Sequence, residues 1–209
     1  MKTKSTFLTL SAFIAALAST PSAPGAPACC QQSPAEKVTL SAAALPARSL
    51  FQLDAVWTND AGRELTLRDF RGETLVVTMI FTHCAYACPM LVQDLRKIRE
   101  QLPPAIRPRV RFVLVTFDTE RDSVAVLRTY REAQALDDRW TLLRGSTADT
   151  QTLAMLLGIQ FRREANGQFG HSNVITVLSA DGEVVHQRTG LRGGLEGAAE
   201  AIVRVTPCS

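Results

Sequence analysis

Leu75 to Phe81 (LVVTMIF) is a continuous run of apolar and β-branched residues without a single charge. A run of that length and composition reads as a strand covered on both faces, so the chain must supply layers on either side of a sheet. Arg109 to Phe117 (RVRFVLVTF) is a second such run, apolar and β-branched apart from Arg109 and Arg111 near its start. Between them, Met90, Leu91, Leu95, Ile98 and Leu102 fall at helical spacing until Pro103-Pro104 stops the pattern. Two covered strands separated by an amphipathic helix place the chain among α/β proteins.

The flanking segments extend this reading. Residues 56–67 (VWTNDAGRELTL) predict two strands around a turn at Asp60-Ala61-Gly62. Asp122 or Ser123 is positioned to cap a helix whose apolar positions are Val124, Val126, Leu127 and Tyr130. Trp140 to Leu143 reads as a short strand, and Ser146 to Leu157 as a helix closed by Gly158. Asn173 to Leu178 and Glu183 to Arg188 predict a hairpin around Asp181-Gly182, and Leu195 to Val205 a last amphipathic helix. The expected fold is α/β and thioredoxin-like, with a central mixed β-sheet flanked by helices and an N-terminal β-hairpin.

The chemistry concentrates where the first buried run ends, in FTHCAYACPM (81–90). Cys84 and Cys88 are four residues apart, which on a helical turn puts both sulfurs on one side. Pro89 can occupy the first position of the following helix, where its missing N–H costs nothing. A helix N-terminus favours anions, so a thiolate forms there more readily than in free cysteine. Three readings stand: soft-metal binding, a redox-active dithiol, and a structural disulfide.

The chain has 209 residues, room for one domain and an N-terminal extension. Lys2 and Lys4 precede a twelve-residue apolar stretch, Phe7 to Ala18, and then small residues. This fits a secretory signal over 1–28, with a Pro/Ala/Ser-rich linker over 29–48 and the folded domain over 49–209. Cleavage after Ala28 would leave Cys29 at the new N-terminus, as in a lipoprotein. Export therefore points to a periplasmic or otherwise exported protein, membrane-anchored if Cys29 is lipidated. No later segment is apolar enough over about eighteen residues to span a bilayer. Formal charge is +3, and +1 without Lys2 and Lys4, which gives no basis for a nucleic-acid partner. Cys29, Cys30 and Cys208 lie near the termini and cannot be paired from sequence.

With its Thr-His-Cys lead-in and Cys-Pro exit, FTHCAYACPM resembles the motif of the Sco/SenC family of thioredoxin-fold copper proteins. Asp60-Ala61-Gly62 with Leu67-Arg68-Asp69-Phe70-Arg71-Gly72 resembles the family's lead-in. Phe117-Asp118-Thr119-Glu120-Arg121-Asp122 resembles its Asp-Pro-x-Arg-Asp stretch, and His171 its single metal-binding histidine. The resemblance implies one copper ion per chain, as Cu(I) or Cu(II), held by Cys84, Cys88 and His171. It implies delivery of copper to the copper-bearing subunit of cytochrome c oxidase or another copper protein, or reduction of that centre's cysteines. It also implies an upstream thiol reductant or copper donor. The chain departs from the family pattern at Thr119, at Ala85-Tyr86-Ala87, at Gly170 where many members carry an acid, and in the short segment 161–170.

The remaining candidates are ordered by their surroundings. His83 should point away from Cys84, its neighbour in an extended segment, and His186 reads as a surface residue in an alternating strand. Asp118 is either a cap or partner for Arg121 or an outer-sphere group orienting His171. No proline occurs between Pro108 and Pro207, so the loop facing the cysteines lacks the proline of ordinary thioredoxins and offers His171 instead. A metallochaperone is the main reading, with a thiol–disulfide reductase using Cys84 and Cys88 as the alternative. A peroxide-reducing enzyme fits less well, because Thr82 is only two residues before Cys84.

Overall fold

The computed structural model describes residues 44–206. The expected signal segment, most of the linker, and Cys29, Cys30 and Cys208 lie outside the described residues. No helix in the described part is long and apolar enough to cross a membrane. Leu45 already packs against the core, slightly ahead of the expected start of the domain.

The two apolar runs form adjacent central strands. β3 (Thr74–Ile80) is buried at every position and pairs in parallel with β4 (Val110–Thr116). β4 continues in parallel to β5 (Trp140–Arg144). The expected N-terminal hairpin is present as β1 (Trp57–Asn59) and β2 (Glu64–Leu65), and β1 adds antiparallel to β5. On the other side β8 (Val174–Leu178) pairs antiparallel with β3, and β9 (Val184–Thr189) with β8. The result is one mixed seven-stranded sheet in the order β2-β1-β5-β4-β3-β8-β9.

Four helices cover the sheet in the described residues: α1 (Ala87–Gln101), α2 (Val124–Ala133), α3 (Thr147–Leu156) and α4 (Leu195–Val205). Ser123 caps α2, its hydroxyl accepting from the N–H of Val126; Asp122 is used elsewhere. The helix after the cysteines starts at Ala87 rather than Pro89. Pro89 is thus the third helical residue, still within the first turn where N–H groups have no intrahelical acceptor. Gly182 closes the β8–β9 turn at φ +83°, and a Cβ there would meet the Phe51 ring at 2.6 Å.

One element was not anticipated. Residues 161–171 form a separate two-stranded ribbon, β6 (Phe161–Arg163) with β7 (Phe169–His171). Its sequence, FRREANGQFGH, shows no sustained alternation of apolar and polar residues. A two-stranded ribbon is marginal by itself in water, so tertiary contacts must hold it in place. His171 is the last residue of this ribbon, a position different from the start of the following strand.

Candidate metal centre

Parallel register brings the C-terminal ends of β3 and β4 side by side, Ile80 opposite Thr116. The next residues, Phe81 and Phe117, therefore pack as neighbours, tilted by 42° with ring centroids 5.4 Å apart. Alternation along β7 sends Phe169 and His171 to one face, and register adds Phe161 opposite His171. That face lies on the two rings. Phe169 sits 5.3 Å from Phe81 and 5.1 Å from Phe117, and the His171 imidazole 6.0 Å and 5.1 Å from the same pair. The ribbon is seated by aromatic packing, and the seat delivers the imidazole to the end of β3, where the cysteine loop begins.

There the ligand atoms of Cys84, Cys88 and His171 all lie within 4.8 Å of one another. Cys88 is fully buried beneath the first turn of α1, while Cys84 and His171 are half-buried. Both cysteines are free thiols. The N–H of Cys88, one of the orphan donors at the helix start, points at the Cys84 sulfur at 3.3 Å. Tyr86 occupies the cap position without a side-chain cap bond, so the Cys84 sulfur takes over that work.

The two thiols are made unequal by this geometry. Cys84 is lowered to about 4, first by the hydrogen bond from the Cys88 thiol. Burial opposes the shift, and backbone donors at Cys88 and Tyr86 and the His171 side chain add to it. Cys88 is pushed far up, by donating its hydrogen bond to the Cys84 sulfur and by burial. The reduced site is therefore an accessible thiolate beside a buried thiol. The thiolate is the reactive form, so alkylation by iodoacetamide is lost only as pH falls through the depressed value. We expect labelling at Cys84 to be nearly flat between about pH 6 and about pH 8, whereas an ordinary thiol rises toward its titration near 8.5. Peptide mapping of a pH series checks this, and a rate climbing about tenfold per pH unit across that window would contradict it.

The donor set suits a soft ion. Thiolates select Cu(I), and an imidazole is accepted by either copper state. Metal–ligand bonds of about 2.0–2.3 Å put the donors of a three-coordinate ion about 3.5–4 Å apart. Closing from within 4.8 Å to that spacing needs only small side-chain adjustments.

The other candidates fall outside this triad. The His83 ring contacts the Thr82 hydroxyl at 3.0 Å and approaches Asp122 at 3.6 Å, turned from the sulfurs as expected. His186 differs from expectation. It is half-buried on the side of β9 covered by α4, close against Gly197, with Nε2 shielded from solvent. Asp118 is 2% exposed and makes an ion pair with Arg121 rather than with His171. His83, Asp118 and Asp122 form a second cluster with close ligand atoms. Its oxygens are already engaged: Asp122 accepts from the N–H of Thr82 at 3.0 Å and from the hydroxyls of Thr82 and Thr116. Asp118 accepts from the Arg121 side chain and N–H. This cluster is a clamp tying the cysteine loop to the β4–α2 loop. The space over Gly170 is reached by the Glu164 carboxylate, 2.9 Å from where a Cβ would stand. A larger cavity of about 1050 Å³ lies near β1 and β5, lined by Arg111–Glu73 and Arg131–Asp60 pairs, and contains none of the three triad residues.

The aromatic seat and the Thr82–Asp122 clamp were missed in the sequence. The available signal for the seat was Phe169 two residues before His171, which in a strand puts both on one face.

Comparison with known proteins gives a consistent picture. Residues 46–206 match the family model SCO1/SenC. A protein of Stutzerimonas stutzeri named as a putative copper-binding protein is 28% identical over 141 residues, covering 66% of this chain and 67% of its own. The copper-bound structure of Arabidopsis thaliana ScoI superposes with a TM-score of 0.63 at 20% identity, over 72% of this chain and 96% of that one. The structure of BsSco, described as a Sco family member of the cytochrome c oxidase assembly proteins with a disulfide switch, gives 0.64 at 20% identity, over 76% and 95%. At such identities the structural likeness establishes the thioredoxin-like fold.

Proposed function

The chain belongs to the SCO1/SenC family, and on that premise we propose that it carries one copper ion on Cys84, Cys88 and His171 and passes it to another copper protein. The observation that carries this reading is the convergence of two sulfurs and one ring nitrogen within 4.8 Å at the mouth of a buried strand. The copper-bound plant relative and the oxidase-assembly description of BsSco support copper as the cargo and the copper-bearing subunit of cytochrome c oxidase as acceptor. Export to the periplasm, with or without a lipid on Cys29, would place the chain where that subunit exposes its metal centre. In that oxidising compartment an upstream thiol reductant or copper donor must keep Cys84 and Cys88 reduced.

The unequal burial sets an order for handover. Cys88 is shielded, so an incoming ligand approaches from the side of Cys84 and His171. Because Cys84 is already a thiolate, loading copper releases about one proton, the one on Cys88. A thiol–disulfide reductase is the second reading, favoured by the accessible Cys84 thiolate next to a protonated Cys88. Cys84 would attack an acceptor disulfide, expelling one acceptor thiolate. Cys88, giving up its proton to the departing acceptor sulfur, would then attack the Cys84 sulfur, releasing the second acceptor sulfur as a thiol and leaving a Cys84–Cys88 disulfide.

His171→Ala separates the two. Copper(I) affinity, measured by competition with a chromophoric chelator, should fall by about a hundredfold or more, while metal-free disulfide reduction should persist. Unchanged affinity in His171→Ala would remove the histidine from the ligand set. Disulfide turnover by an unaltered protein that fails to bind copper would shift the assignment to the reductase.

A further inference from the structure

The ribbon that carries His171 is joined to the rest of the protein on one more side. The β4–α2 loop, residues 117–123, runs beside it. The Arg121 guanidinium lies over the Phe169 ring at 5.8 Å and passes 3.7 Å from where a Cβ on Gly167 would stand. Arg163 of β6 pairs with Glu120 of the same loop at 2.5 Å. Arg121 is aimed by Asp118, which is buried and receives both its side-chain and its backbone N–H. One of its nitrogens, Nη2, is buried with no acceptor. The side chain as a whole is 30% exposed, so its aromatic and ionic neighbours, rather than burial, fix its direction, and a planar cation over a ring is a directional contact that Lys does not reproduce.

The same loop is locked to the other half of the site. Asp122, one residue on, accepts from the N–H and hydroxyl of Thr82, two residues before Cys84. Residues 117–123 therefore span from the cysteine loop to the histidine ribbon, touching both.

We infer that Arg121 is the positioning residue for His171, holding the β6–β7 ribbon at the distance from Cys84 and Cys88 that copper requires. It acts through Phe169, which shares a strand face with His171 and the same aromatic seat. Asp118 serves the histidine indirectly, by fixing Arg121. This inference rests on the ligand set proposed above.

The test uses Arg121→Ala and Arg121→Lys in the full chain, each also combined with His171→Ala. Arg121→Ala leaves Asp118 buried without its cation and can cost the fold; Arg121→Lys keeps the charge and loses the planar stack. In the metal-free protein, amide hydrogen exchange over 161–171 should become about tenfold faster in Arg121→Lys, with exchange in β3 and β4 unchanged. Copper(I) affinity should fall about tenfold, and X-ray absorption should show a weaker imidazole contribution. In the His171→Ala background the Arg121 substitutions should cause no further loss. Unaltered ribbon exchange and affinity in Arg121→Lys would overturn the inference, as would an equal loss with and without His171. If His171→Ala itself leaves affinity intact, the ligand assignment fails, and the metal-free exchange result still decides whether Arg121 holds the ribbon.

Discussion

Serine at position 84 or at position 88 should lower copper(I) affinity by on the order of a thousandfold. Apparent binding free energies at thiolate metal sites are about 10–16 kcal/mol, and one ligand of three carries about 4 kcal/mol of that. A serine hydroxyl stays protonated and is a hard donor, so it cannot replace the sulfur. The two variants should differ in what remains. Cys84→Ser removes the exposed thiolate and with it rapid alkylation. Cys88→Ser keeps a hydroxyl donor, so it is Cys88→Ala that removes the hydrogen bond contributing most to the depressed Cys84 value, and in that variant the alkylation profile of the surviving thiol should move upward in pH. Competition titration and a pH series on each variant measure both effects. Retention of wild-type affinity by either variant would contradict the two-sulfur site.

Asp122→Ala should cost about 3–5 kcal/mol of folding stability. The side chain is fully buried and accepts from three donors, the Thr82 N–H, the Thr82 hydroxyl and the Thr116 hydroxyl. Alanine leaves those donors without their acceptor, and unsatisfied buried donors cost about 1–3 kcal/mol each before relaxation. For a domain of this size the melting temperature should drop by about 10 °C. The loop from Thr82 to Cys84 also loses its tie, so copper affinity should fall as well, by less than in the cysteine variants. Thermal unfolding of the reduced, metal-free protein checks the first part. A change within about 0.5 kcal/mol, the range of ordinary surface substitutions, would show that the clamp is not structural.

These two expectations draw on parts of the molecule that were unequally legible. The apolar runs 75–81 and 109–117 predicted β3 and β4 within a residue or two, because a strand covered on both faces carries its signature locally. The Cys84/Cys88 pair was equally legible, since four-residue spacing at a helix start leaves little freedom. The helix began two residues early because the Cys84 sulfur, rather than a proline, satisfies its first turn. The ribbon 161–171 was invisible for a different reason. Its strands are three residues each, polar on one side, and stable only against Phe81 and Phe117, which are separated from it by dozens of residues. His186 was misplaced because alternation in β9 does not say which face α4 will cover. Asp118 was narrowed to two roles, and its ion pair with Arg121 realises one of them; the link from Arg121 onward to Phe169 exists only in three dimensions.

The central claim is a single copper ion bound by two sulfurs and one imidazole nitrogen. X-ray absorption on the reduced, copper(I)-loaded protein, with metal content measured in the same sample, tests it most directly. The expected result is about one copper per chain, two sulfur scatterers and one nitrogen scatterer with imidazole features, and loss of the nitrogen in His171→Ala. A spectrum of sulfur ligands alone in the unaltered protein, or one indifferent to His171→Ala, would contradict it.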